Sequence, residues 1–132
     1  MLFLQLSLLR DNLSFQKPEW IESIKIYYPD SECMELDNYS ELYLFQQVLK
    51  WILNKKEPLI LHIHSFDKNS ETGNLFRFLQ DVFSKHKPVL ITLQGEHEGL
   101  KKYIQAFAVV EEVKTGKDAL ELVEGLVKPP RF

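Results

Sequence analysis

Pro58-Leu-Ile-Leu-His-Ile-His64 and, after an intervening amphipathic stretch, Lys87-Pro-Val-Leu-Ile-Thr-Leu93 decide the fold. Each is a short apolar run opened by a proline. Both are too continuous for a strand with one wet face and read as strands covered on both sides. Between them Leu75, Leu79 and Val82 recur at helical spacing with Phe76 and Phe83 beside them, and Pro88 ends that helix. Strand, helix and strand joined by short connections imply a right-handed crossover between parallel neighbours.

Working outward, Gly95 and Gly99 bracket a turn into a helix with Leu100, Tyr103, Ile104 and Phe107 on one stripe. Val109 to Lys114 reads as a last short strand. Thr115 and Asp118 then form a capping pair for a helix carrying Ala119, Leu120, Val123 and Val127, which Pro129 and Pro130 terminate. Upstream, Asn38 and Glu41 have the spacing of a capping box before Leu42, Phe45, Val48, Leu49 and Ile52, with Lys55 and Lys56 in the last turn. Residues 2 to 9 alternate as a strand with Leu2, Leu4, Leu6 and Leu8 on one face. A loop from Asp11 to Lys17 and Pro18 follows. Ile24, Ile26 and Tyr28 alternate with Ser23, Lys25 and Tyr27 as a second strand, and Cys33 to Leu36 offers a short third. The expectation is a single α/β domain over 1–132, with a mainly parallel sheet of about five strands and packed helices, STAS-like or flavodoxin-like.

Composition agrees with one self-sufficient domain: 132 residues, 45% hydrophobic and 27% charged. A formal charge of -3, from 16 basic and 19 acidic residues, removes the broad positive field of sequence-independent nucleic-acid binding, and no nucleic acid is expected. Cys33 stands alone, so no internal disulfide forms; a reducing cytoplasm and a small buried hydrophobe are the expected compartment and role. The leucine-rich start lacks a positive flank and a small-residue cleavage site, which favours a strand over a signal segment. Every apolar stretch falls short of the roughly 20 residues of a membrane span.

From about residue 59 onward the chain resembles the STAS domain, the fold of bacterial anti-sigma factor antagonists and of the cytoplasmic tails of sulfate transporters. Ser70-Glu71-Thr72-Gly73 stands at a helix start where that family has Asp-Ser-Ser-Gly, Lys87 to Leu93 resembles its next strand, and Leu100 to Val113, then Ala119-Leu120, is similar in spacing to its late helix, short strand and closing helix. Glu71 takes the place of the antagonists' phosphorylated serine. A carboxylate there mimics the phosphorylated charge permanently, with Ser70 and Thr72 as neighbouring acceptors. The resemblance implies a regulatory module that binds a protein partner.

Ligands of open parallel sheets bind beyond the carboxyl ends of strands. Two loops there, His64 to Gly73 and Gln94 to Gly99, converge if their strands are adjacent. They bring His64, Asp67, Ser70, Glu71, Thr72, Gly73, Glu96 and His97 to one rim, where helix-start amides can hold an anion. Ordinary capping loops are built of the same residue types. His62 and His64 share a strand face as a His-x-His pair, and zinc would need Asp67, Glu96 or His97 as a third ligand. The dense histidine motifs of zinc hydrolases are absent, and no metal or cofactor is assigned. Ser65 lacks a nucleophile turn, and Gly95 and Gly99 form neither a dinucleotide fingerprint nor a P-loop, so no catalytic residue is assigned. Trp20, Tyr27, Tyr28, Tyr39 and Tyr43 cluster early, as at interfaces. The leading expectation is a partner-binding module, with a protein partner or a second copy, acting without catalysis through Ser70 to Asn74. A bulky residue at Gly73 is then expected to abolish binding and spare the fold. The alternative is a small-ligand binder or enzyme using His64, Asp67, Glu96 and His97.

Overall fold

A computed structural model describes residues 1–11 and 19–127. Strand and helix alternate strictly: β1 (Leu2–Leu8), α1 (Glu19–Tyr27), β2 (Glu32–Asp37), α2 (Leu42–Lys55), β3 (Leu59–Ser65), α3 (Leu75–Lys85), β4 (Leu90–Gln94), α4 (Glu98–Gln105), β5 (Glu111–Val113) and α5 (Gly116–Val127). The five strands lie in the order β2-β1-β3-β4-β5, and every neighbouring pair is parallel. This is the flavodoxin-like doubly wound arrangement, whose switch point lies between β1 and β3.

Strand parity sorts the core into two layers. Leu2, Leu4, Leu6, Leu8, Leu59, Leu61 and Ile63 face α2, α3 and α4, where Phe45, Ile52, Leu79 and Ile104 meet them. Phe3 and Ile60 point the other way, against Trp20, Ile21 and Ile24 of α1 and Ala119 and Val123 of α5. Truncating one of the fully buried leucines, such as Leu4→Ala, should cost about 2–5 kcal/mol.

Several boundaries differ from the sequence reading. The segment read as a second strand is helix α1. Trp20, Ile21 and Ile24 are buried at helical spacing, while Ile26 and Tyr27, which strand alternation would have put on opposite faces, are both exposed. Its β-branched residues imitate a strand over so short a window. The weak Cys33 to Leu36 segment is therefore the true β2, at a sheet edge, with Cys33 half-buried. The Asn38–Glu41 capping box does not form: α2 begins at Leu42, and Glu41 at its N-cap makes no side-chain hydrogen bond. β5 is shorter than Val109–Lys114, and Phe107 lies past the end of α4, exposed. The Thr115 cap is present, its Oγ1 accepting the Asp118 amide at 3.1 Å. The loop expected from residue 12 to Pro18, the side chain of Val127, and Pro129 and Pro130 lie outside the described residues.

Candidate functional site

Four loops leave the carboxyl ends of β1 to β4, and side chains tie them together on the α2–α4 side of the sheet. The Asn38 amide does most of this. Its Oδ1 accepts the Leu9 amide at 2.8 Å, and its Nδ2 donates to the carbonyls of Leu9 (3.0 Å) and Glu71 (2.6 Å). Ser65 Oγ donates to the Glu96 carbonyl at 2.7 Å. His97 caps α4 through Nδ1, which accepts the Leu100 amide at 3.1 Å, leaving Nε2–H to donate to the Ser70 carbonyl at 2.8 Å. Gly73 (φ +53°) and Gly95 (φ +85°) adopt left-handed conformations, and a Cβ on either would run into the carbonyl oxygen of Asn38 or Ser65 respectively.

The sequence-read residues therefore separate. Ser70, Glu71, Gly73 and His97 do come together, with Asn38 as their hub, but mainly through bonds that hold the rim. Ser70 is buried, its hydroxyl unpartnered among the described residues, while Glu71, Gly73 and Glu96 are exposed. Asp67 accepts the Asn69 amide in its own turn at 2.8 Å, and Thr72 offers its carbonyl to the Leu75 amide. A bulky residue at Gly73 would not spare the fold, because the backbone conformation and the Asn38 carbonyl both oppose it. His64 belongs elsewhere: by strand parity it faces the α1 and α5 side, away from His97.

On that side the sheet carries two polar rows at its carboxyl end, Gln5–His62–Thr92 and Ser7–His64–Gln94, each in register across β1, β3 and β4. His62 is fully buried. Gln94 Oε1, which can only accept, lies 3.1 Å from His62 Nε2, so Nε2 carries the proton and Nδ1 accepts from the Thr92 hydroxyl at 2.7 Å. Burial, with the neighbouring His64 adding to it, pushes the His62 pKa down to about 3 and keeps the ring neutral. Both its nitrogens are engaged, so the His-x-His pair shares a face without offering two free ligands. Among the described residues no group of three ligating side chains assembles. His64 stacks on Phe66 with ring centroids 3.8 Å apart; burial lowers its pKa and the Glu19 carboxylate opposes the shift.

Between α1 and α5, above these rows, runs a cleft of about 630 Å³. Its upper end is where Trp20, Gln94 and Gly116 meet: a Cβ on Gly116 would stand 3.8 Å from Trp20 Cβ and 3.9 Å from Gln94 Oε1. Its lower end is bounded by Tyr27 and Glu124. Trp20 is only 4% exposed, stacks against His62 at 4.7 Å, and has an indole Nε1–H without a partner among the described residues. Leaving such a donor unpaired costs about 1–3 kcal/mol. Sequence reading missed both Asn38 as hub and this cleft. An asparagine directly after a strand was the available signal for the first; the second required α1 to be recognised as a helix. No family model, curated protein or solved structure matches the chain.

Proposed function

We propose that the protein is a small-ligand-binding module whose site is the cleft between α1 and α5 at the carboxyl ends of the central strands. The observation that carries this reading is a cleft of about 630 Å³ lined by Trp20, Gly116 and Gln94, the last residue of β4. The volume falls within the roughly 300–1,000 Å³ of small-molecule pockets, and the place is the one where parallel sheets hold ligands. The floor suits recognition too. Because Gln94 spends its oxygen on His62, its amide N–H groups are left to donate. The tied rim on the opposite side holds the strand ends in fixed register, which lowers the cost of ordering a site. A fragment screen by ¹H–¹⁵N NMR on the whole chain tests this. Shifts should concentrate on the Trp20 indole, the Gln94 side-chain amide and Gly116; shifts confined to residues 67–74, or scattered, would overturn it.

The exposure of Glu71 and Gly73, with Tyr43 63% exposed, favours a second reading, the partner-binding module that the STAS resemblance implies. It requires a stoichiometric protein complex in native mass spectra of gently purified material, lost on Glu71→Arg. A bare mass would count against it.

A further inference from the structure

The two edges of the sheet are unlike. β5 is three residues long and offers little to pair with, whereas β2 runs for six, about 20 Å at roughly 3.3 Å per residue. The phase of β2 is set where the Asn38 amide donates inward to the Ser7 carbonyl at 3.1 Å. Counting back by twos, Leu36, Met34 and Glu32 turn their main-chain groups to β1, and Asp37, Glu35 and Cys33 turn theirs outward. Ser40 closes the far end, its Oγ accepting the Asp37 amide at 3.0 Å and its amide donating to the Asp37 carbonyl at 3.1 Å. Among the described residues nothing covers the amides and carbonyls of Cys33 and Glu35 in this way, and they form an open ladder for one more strand.

The side chains flanking that ladder differ on its two faces. On the α2 face Met34 is 39% exposed, and the Lys55–Glu32 bridge at 3.2 Å sets the helical row of Lys55, Trp51 and Leu44 over β2, with Leu44 46% exposed and Trp51 half-buried. On the α1 face stand Asp37 and Glu35, the latter exposed and in no ion pair among the described residues. From Asp30 to Glu41 there are five acidic residues and no basic one; Lys55 is engaged by Glu32, and Lys25 lies near Cys33. We infer that the β2 edge takes an extended segment of another protein as a sixth strand, its apolar side chains against Met34, Leu44 and Trp51 and its alternate, basic side chains beside Glu35 and Asp37. Main-chain pairing alone would suit any strand, including β2 of a second copy. Charge makes the choice, because a second copy would lay two acidic edges together. The inference stands apart from the cleft, which lies between α1 and α5.

The test titrates the whole chain, followed by ¹H–¹⁵N NMR, with the end-capped peptide Val-Lys-Val-Lys-Val-Lys-Val and with the same peptide carrying Glu in place of Lys. At low salt the basic peptide should bind about tenfold tighter than the acidic one, and it should slow hydrogen exchange at the Cys33 and Glu35 amides. Glu35→Lys, a substitution on the exposed edge, should weaken the basic peptide about threefold or more and strengthen the acidic one. Equal affinity for the two peptides would overturn the charge assignment. Binding of the basic peptide without protection at Cys33 and Glu35 would overturn the edge as its site, and no binding of either peptide would overturn the inference as a whole. Exchange at those two amides that slows in the protein alone as its concentration rises, with dimers in sedimentation, would give the edge to a second copy and overturn the basic partner.

Discussion

His97 and Ser70 are joined by a 2.8 Å hydrogen bond from the imidazole Nε2 to the main-chain oxygen, and the same ring caps α4 through Nδ1. One side chain thus fixes both the start of a helix and the loop of the preceding crossover. Replacing it with alanine leaves the Ser70 carbonyl and the Leu100 amide without these partners. His97→Ala should lose about 1–3 kcal/mol in urea unfolding. Ser70→Ala, which removes only an unpartnered buried hydroxyl, should be neutral or stabilising by up to about 1 kcal/mol. Equal losses in the two variants would contradict this division of roles.

The glycines separate in the same assay. Gly73→Ala and Gly95→Ala each place a side chain in a left-handed backbone and against a carbonyl oxygen, so each should destabilise by more than about 1 kcal/mol. Gly125, inside α5 with nothing within 4 Å of an added Cβ, should gain about 0.5–1 kcal/mol as alanine. A neutral Gly73→Ala would mean that the Asn38 carbonyl can move aside freely.

Acid should act on the fold through His62. Its pKa falls from 6.5 to about 3 on folding, so between those values the unfolded chain binds the proton that the folded chain refuses. Stability is therefore complete above about pH 6.5 and is lost progressively as pH falls toward 3, by an amount on the order of several kcal/mol at the low end. The stretch between about pH 6.5 and 5, above the ordinary carboxylate range, isolates the histidine contribution. Urea midpoints followed over that stretch should slope clearly in the parent and less steeply in His62→Gln, the remaining slope coming from His64, whose pKa burial also lowers; parallel slopes would show that His62 is not responsible.

The parallel α/β class was legible because its decisive pieces are unambiguous: Leu59 to His64 is too apolar for anything but a covered strand, and the α3 and α4 stripes have one period only. Residues 24 to 28 were not. Three apolar positions fit a period of two as well as the outer part of a helical turn, and the buried Trp20 and Ile21 that settle it lie just before. Strand order was hidden for a different reason. Which side each crossover passes depends on packing between helices far apart in sequence, and that choice put His64 and His97 on opposite sides of the sheet. Asn38 was visible as a polar residue after a strand, but its three partners come from Leu9 and Glu71, which local pattern cannot supply.

The position of β1 in the middle of the sheet has a consequence for biosynthesis. It is made before either of its neighbours, and β3, its longer partner, begins only at Leu59. Until that segment has left the ribosome, Leu2 to Leu8 is a leucine-rich strand with at least one unpaired edge, the kind of segment that associates with other chains when exposed. Between the synthesis of β1 and that of β3 the nascent chain is therefore at its most exposed to association with other chains.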